Sequence, residues 1–151
     1  MKSLAAVIAL ALLVAPVASA QDGGEWPPLS YLRNDYRSVS EVAHIRVRGT
    51  EITGRIGGYE NWRVSAEVVE PFKGRFRRGQ VIEYFHGAEA GLKADYFTGD
   101  KIVFLLAEHD REKGQRRYSV LENSTLPRTD DRVRKLCAIR RSDARGRARR
   151  R

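Results

Sequence analysis

The sequence predicts a mainly β fold: a small antiparallel barrel or sandwich of about five strands, followed by one C-terminal helix. Three observations carry this. Apolar residues recur at a period of two in short runs between residues 43 and 121, turn residues separate the runs, and no long helical pattern interrupts them. A length of 151 residues allows one domain with tails and no second domain of useful size. The hydrophobic fraction of 42% and charged fraction of 31% are those of a globular chain, not of a disordered or membrane-embedded one.

The first strand is read from Ala43, Ile45 and Val47, which alternate with His44, Arg46 and Arg48, placing His44 on an exposed face. Gly49 breaks the run, Glu51-Ile52-Thr53 resumes it, and Gly57-Gly58 turns the chain. Trp62, Val64, Ala66 and Val68 alternate with Arg63, Ser65 and Glu67 in the clearest strand, which Pro71 ends because proline cannot donate to a ladder. Val81 to His86 forms a third strand, and Gly87 to Gly99 a loop plugged by Tyr96 and Phe97. Ile102 to Leu106 is continuously apolar and short, the pattern of a strand buried on both faces. After charged turn material from His109 to Gly114, Arg117 to Leu121 supplies the last strand.

Upstream, residues 21–42 form a lead-in to the barrel of residues 43–126. Its beginning is extended, with Gly23, Gly24 and Pro27-Pro28, while Leu32, Tyr36, Val39 and Val42 have the loose spacing of a short helix packed on the body. Downstream, residues 127–140 predict a helix. Thr129 caps it, Asp130 and Asp131 sit at its positive end, and Val133, Leu136, Cys137 and Arg140 follow at i, i+3, i+4 and i+7. On that stripe Cys137 reads as a small buried hydrophobe. Residues 141–151 lack apolar periodicity and predict a disordered basic tail.

Residues 1–20 have the three-part pattern of a secretory signal peptide: a cationic start at Lys2, an apolar run from Leu4 to Val17, and Ala18-Ser19-Ala20 before the cut. The run of about 14 apolar residues is short against the roughly 20 a bilayer requires. Cleavage after Ala20 leaves no transmembrane segment in the mature chain and places it in the periplasm or outside the cell. There the single Cys137 cannot form an intramolecular disulfide, and it excludes a cysteine-rich zinc site.

One order of residues points to a family. Ile45-Arg46-Val47-Arg48-Gly49 is followed by Val68-Val69-Glu70-Pro71-Phe72-Lys73-Gly74. Arg78-Gly79 and Val81-Ile82-Glu83-Tyr84 come next, then Gly99-Asp100-Lys101-Ile102-Val103-Phe104-Leu105-Leu106. Over roughly residues 40–122 this resembles the OB-fold barrels of the tissue-inhibitor-of-metalloproteinases and netrin-module type, in a plain bacterial exported version. The resemblance implies an OB-like barrel and an extracytoplasmic setting. The animal inhibitors act through an N-terminal cysteine that chelates the protease zinc and are stapled by disulfides. This chain has one cysteine, Cys137, and a mature start at Gln21, so no inhibitory residue carries over.

No catalytic constellation is legible. None of His44, His86 and His109 accompanies a serine set in nucleophile-elbow glycines, no glycine loop has phosphate-loop spacing, and His109, Asp110 and Glu112 read as surface rather than as a metal site. No cofactor is expected. An OB barrel presents aromatics for ligands on a curved face, which makes Trp62, Arg63, Tyr84, His86 and Tyr96 a candidate groove; against it, Trp62 and Tyr84 alternate as core residues would, and that is the stronger reading.

The remaining signal is charge. The chain carries 28 Lys+Arg against 19 Asp+Glu, a net +9, and the cations concentrate at the C-terminal end. Residues 132–151 hold a surplus of about nine positive charges while residues 21–131 are nearly neutral. Arg140, Arg141, Arg145, Arg147, Arg149, Arg150 and Arg151 are the candidate contacts to an anionic surface. The expected function is therefore a non-enzymatic binding module of the cell envelope, whose partner is a protein or an anionic envelope component. Export separates it from most nucleic acid. The alternative is a protein inhibitor of an extracellular hydrolase.

Overall fold

The computed structural model describes residues 26–110 and 114–149. The signal-peptide reading, Arg150, Arg151 and Glu112 lie outside the described residues. A helix α1 (Leu29–Ser38) leads into strands β1 (Glu41–Ile56), β2 (Tyr59–Lys73) and β3 (Val81–Glu89). A 3-10 turn at Ala94–Phe97 precedes β4 (Asp100–Asp110) and β5 (Gln115–Pro127), and α2 (Asp130–Ala148) ends the described chain. The strands close into one barrel in the order β1-β2-β3-β5-β4. All neighbours are antiparallel except β3 and β5, which meet through a single parallel pairing of Phe85 with Ser119. The mainly β barrel of five strands with a C-terminal helix is thus the observed architecture.

The period-two pattern explains the barrel interior. Trp62, Val64, Ala66 and Val68 of β2 face Ala43, Ile45, Ile82, Tyr84, Val103 and Leu105 in one buried cluster. Strands run further than their patterns suggested because barrel closure bends them rather than stopping them. Gly49 marks a shift of register within β1 instead of its end. Pro71 lies inside β2 opposite Ala43, beside another register shift and beyond Glu67, where pairing with β3 ceases. A missing amide hydrogen is tolerated there, at a bulge beside an edge. Gly57 and Gly58, both with positive φ (57° and 83°), form the two-residue turn between β1 and β2.

A second core lies outside the barrel, beneath the two helices. Ile102 and Phe104 leave β4 on the face opposite Val103 and Leu105, which is why that run is apolar throughout. They meet Val42 and Phe72 from the sheet, Leu32, Tyr36 and Val39 from the N-terminal segment, and Leu136 and Ile139 from α2. The loose spacing of Leu32, Tyr36, Val39 and Val42 therefore identified buried residues, but only the first two are helical. Because Leu29–Ser38 is helical, the lead-in of residues 21–42 is not extended throughout. Cys137 packs partly buried against the same cluster.

The C-terminal helix also departs from expectation. It continues to Ala148, so the segment from Arg141 onward is helical through that residue rather than disordered. Its start is fixed by the Thr129 side chain, which accepts from the Arg132 amide, and by Asp130 and Asp131 in the first turn. Leu136 and Ile139 then dock it. Arginine and alanine are good helix formers, and Arg145 and Arg147 lie in the last turn, where cations suit the dipole. An apolar stripe is needed to dock a helix but not to extend one already docked.

Candidate functional site

Two regions deserve the name of site. The first is a pocket of about 480 Å³, bounded by Tyr59 after the β1–β2 turn, by His86 to Glu89 at the end of β3, by Leu92 and Tyr96, and by Val120 of β5. His86 stands opposite Trp62 in the β2–β3 ladder, so both point into the barrel. Its ring packs edge-on against Phe97 (centroids 5.1 Å apart) and lies 5.9 Å from the Tyr96 ring. Its Nδ1 is 3.5 Å from the Thr125 hydroxyl, the outer limit of a hydrogen bond. Burial holds the His86 imidazole below its ordinary pKa and pushes the Tyr96 phenol up. Both are accordingly neutral at pH 7, and the pocket offers aromatic faces, an imidazole and the exposed Glu89 carboxylate at its edge.

The expected groove is only partly assembled. Tyr96, 40% exposed, and His86 share this pocket. Trp62 and Tyr84 do not present a surface: they are 6% and 0% exposed inside the barrel, where their alternation, that of core positions, places them. Among the described residues their Nε1 and hydroxyl have no hydrogen-bond partner, and burial raises the Tyr84 phenol strongly. Arg63 points the other way and pairs on the outer face with Glu51 at 2.5 Å. Tyr59, Glu89, Leu92 and Val120 were not foreseen; the one available signal was the position of Tyr59 directly after a Gly-Gly turn.

His44 also corrects its expected place. It is 7% exposed, and its Nε2 lies 3.3 Å from Asp100, which Arg46 holds from the other side at 2.9 Å. The Arg46 hydrogen bond holds the Asp100 carboxyl below its usual range. This triad joins the start of β4 to β1 and is a structural tie. Among the described residues no three His, Cys, Asp or Glu side chains converge as metal ligands.

The second region is the surface of α2. Arg141, Arg145 and Arg149 line one face at i, i+4 and i+8, all exposed, and among the described residues none has an ion-pair partner. Arg140 is different: its Nη1 donates to the Pro71 carbonyl at 3.3 Å and its guanidinium lies over Phe72, so it helps to fasten the helix. Arg147 turns towards α1. Like charges at this spacing cost a helix a few tenths of a kcal/mol per pair, a cost that a bound anion relieves. Arg132, buried near the helix start, donates to the carbonyls of Pro127 (2.7 Å) and Trp26 (2.6 Å) and so ties the lead-in to α2.

Among the described residues no helix is long and apolar enough to cross a membrane. No protein-family model matches the chain, and no curated protein matches its sequence.

Proposed function

We propose that the chain is an exported, non-enzymatic binding module: an OB-type barrel, akin to those of the netrin and tissue-inhibitor type, that presents a cationic helix to anionic surfaces of the cell envelope. The observation that carries this reading is the exposed row of Arg141, Arg145 and Arg149 on a helix docked by Leu136 and Ile139, beside a barrel that is nearly neutral. Docking fixes the row in space, so its charges act together on a planar surface. The strand order β1-β2-β3-β5-β4 supports the OB assignment, and the pattern of residues 1–20 supports export.

Co-sedimentation tests the reading. The full chain should bind phosphatidylglycerol vesicles at low salt, leave them as salt rises, and ignore phosphatidylcholine vesicles. Absence of binding to the anionic vesicles at low salt would remove the reading.

A second reading, inhibition of an extracellular hydrolase, is favoured by one observation. Only Phe85 of β3 pairs with β5, so among the described residues most of that edge of β3 has no ladder, and Val81 on it is 53% exposed. An open strand edge can pair with the backbone of a partner at the rim of its cleft. Recovery of a stoichiometric hydrolase in a pulldown from native envelope would support inhibition; at low salt, recovery of none would count against it.

A further inference from the structure

Between α1 and α2 lies a cleft of about 650 Å³. Arg33 and Arg37 stand one turn apart on α1, and Arg147 reaches in from α2, so three guanidiniums line one concavity with a single carboxylate, Asp143. Among the described residues none of the three guanidiniums has a hydrogen-bond or ion-pair partner, and the Nε of Arg33 is also shielded from solvent. Five arginines on or next to the barrel behave differently: Arg46, Arg48, Arg55, Arg63 and Arg128 each meet a carboxylate at 2.5 to 2.9 Å. A solvent-shielded donor without an acceptor is unfavourable, and an anion in the cleft would supply one.

The charge balance selects the anion. Three guanidiniums against one carboxylate leave a surplus of two, which a carboxylate ligand would only half neutralise. A phosphate monoester carries about −1.5 to −2 at pH 7 and offers three acceptor oxygens to the planar forks of arginine. The negative end of α1, which would oppose an anion, is already covered. The Nζ of Lys73 donates to the carbonyls of Tyr36 at 2.5 Å and Val39 at 2.6 Å. The Ser142 hydroxyl donates to the Ile139 carbonyl at 2.8 Å, so recognition falls to the arginines.

We propose that this cleft binds a phosphate monoester, gripped by Arg37 and Arg147 from opposite helices and by Arg33 between them. The proposal rests on the anion-contact reading of α2, but it uses the side of that helix facing α1 rather than the outer row. Free phosphate and the headgroup of a phosphomonoester lipid share this chemistry, and two measurements on the full chain separate them. One is calorimetric titration with inorganic phosphate; the other is co-sedimentation with phosphatidic acid or phosphatidylglycerol vesicles of equal anionic mole fraction.

Arg37 and Arg147 are exposed, so Arg37→Gln with Arg147→Gln leaves the cores intact; Arg141→Gln with Arg145→Gln is the control of equal charge. A soluble ligand gives saturable one-to-one binding of phosphate that weakens about tenfold or more in the cleft variant and not in the control. A lipid ligand gives no saturation with phosphate but a preference for phosphatidic acid that the cleft variant loses and the control keeps. The proposal is overturned if neither saturation nor preference is seen, or if both variants change them equally. In that event the reading of α2 as an anionic-surface contact still stands if phosphatidylglycerol binding weakens in the control variant. It fails by itself if wild type ignores those vesicles.

Discussion

The carboxylate of Glu41 occupies the space that a side chain on Gly74 would need. Glu41 opens β1 and is 2% exposed; its Oε2 accepts from the amide of Arg75 at 2.7 Å. Gly74 supplies both the missing Cβ and a φ of 97° that other residues adopt at a cost. Replacement by alanine would strain the turn and evict a buried carboxylate from its donor. Gly74→Ala should therefore cost about 3 kcal/mol or more, read as a lowered urea midpoint. An unchanged midpoint would mean that Glu41 does not need this seat.

The preceding residue has a separate task. Lys73 donates to carbonyls at the end of α1 and lies 5.2 Å from the Tyr36 ring centre, joining β2 to the helix. Lys73→Met keeps the apolar stem and removes the donors, at a cost of about 1.5 to 3 kcal/mol. Amide exchange should accelerate in α1 while the barrel amides stay protected. Uniform acceleration would instead assign Lys73 to the whole fold.

His86 makes stability depend on pH in a defined direction. Burial lowers its folded pKa below the unfolded value, close to 6.5. Between these values the unfolded chain binds more protons, so stability is fully present above the unfolded pKa and declines as pH falls through the folded one. The neighbouring phenols, Tyr84 and Tyr96, are raised and stay neutral across this window. Denaturant midpoints at pH 7.5 and pH 5 should differ less in His86→Asn than in wild type. Equal differences would show that the imidazole is not the group responsible.

Arg132 links parts of the chain that are distant in sequence. Arg132→Ala removes the donor to the carbonyls of Pro127 and Trp26; it should cost about 3 kcal/mol and expose the segment before α1 to limited proteolysis. Cleavage at the wild-type rate would show that the lead-in is held by other contacts.

What was legible in the sequence follows from its periods. Alternation from Trp62 to Val68 revealed a barrel face, and the unbroken run from Ile102 to Leu106 revealed a strand between two cores. Ties made by single polar residues carry no period: Glu41 on Gly74, Lys73 on α1, and Arg132 on Trp26 are invisible until the chain is folded. The same holds for the cleft, because Arg33 and Arg147 meet only when α1 and α2 pack side by side. The basic end was legible as charge but not as helix, since its helix depends on docking further back, at Leu136 and Ile139. His86 and Tyr96 come together at one pocket, whereas Trp62 and Tyr84 follow the period of a core and lie in it.

The central claim is that the outer row of α2, rather than net charge, holds the protein on anionic surfaces. Its most direct test compares two triple variants of equal charge by co-sedimentation with phosphatidylglycerol vesicles: Arg141, Arg145 and Arg149 changed to Gln, and Arg75, Arg77 and Arg78 on the β2–β3 loop changed to Gln. At about 1 kcal/mol per arginine, the helix variant should bind roughly a hundredfold more weakly, while the loop variant stays near wild type. Equal loss in both variants would contradict the claim and leave only a diffuse attraction between a basic chain and an acidic surface.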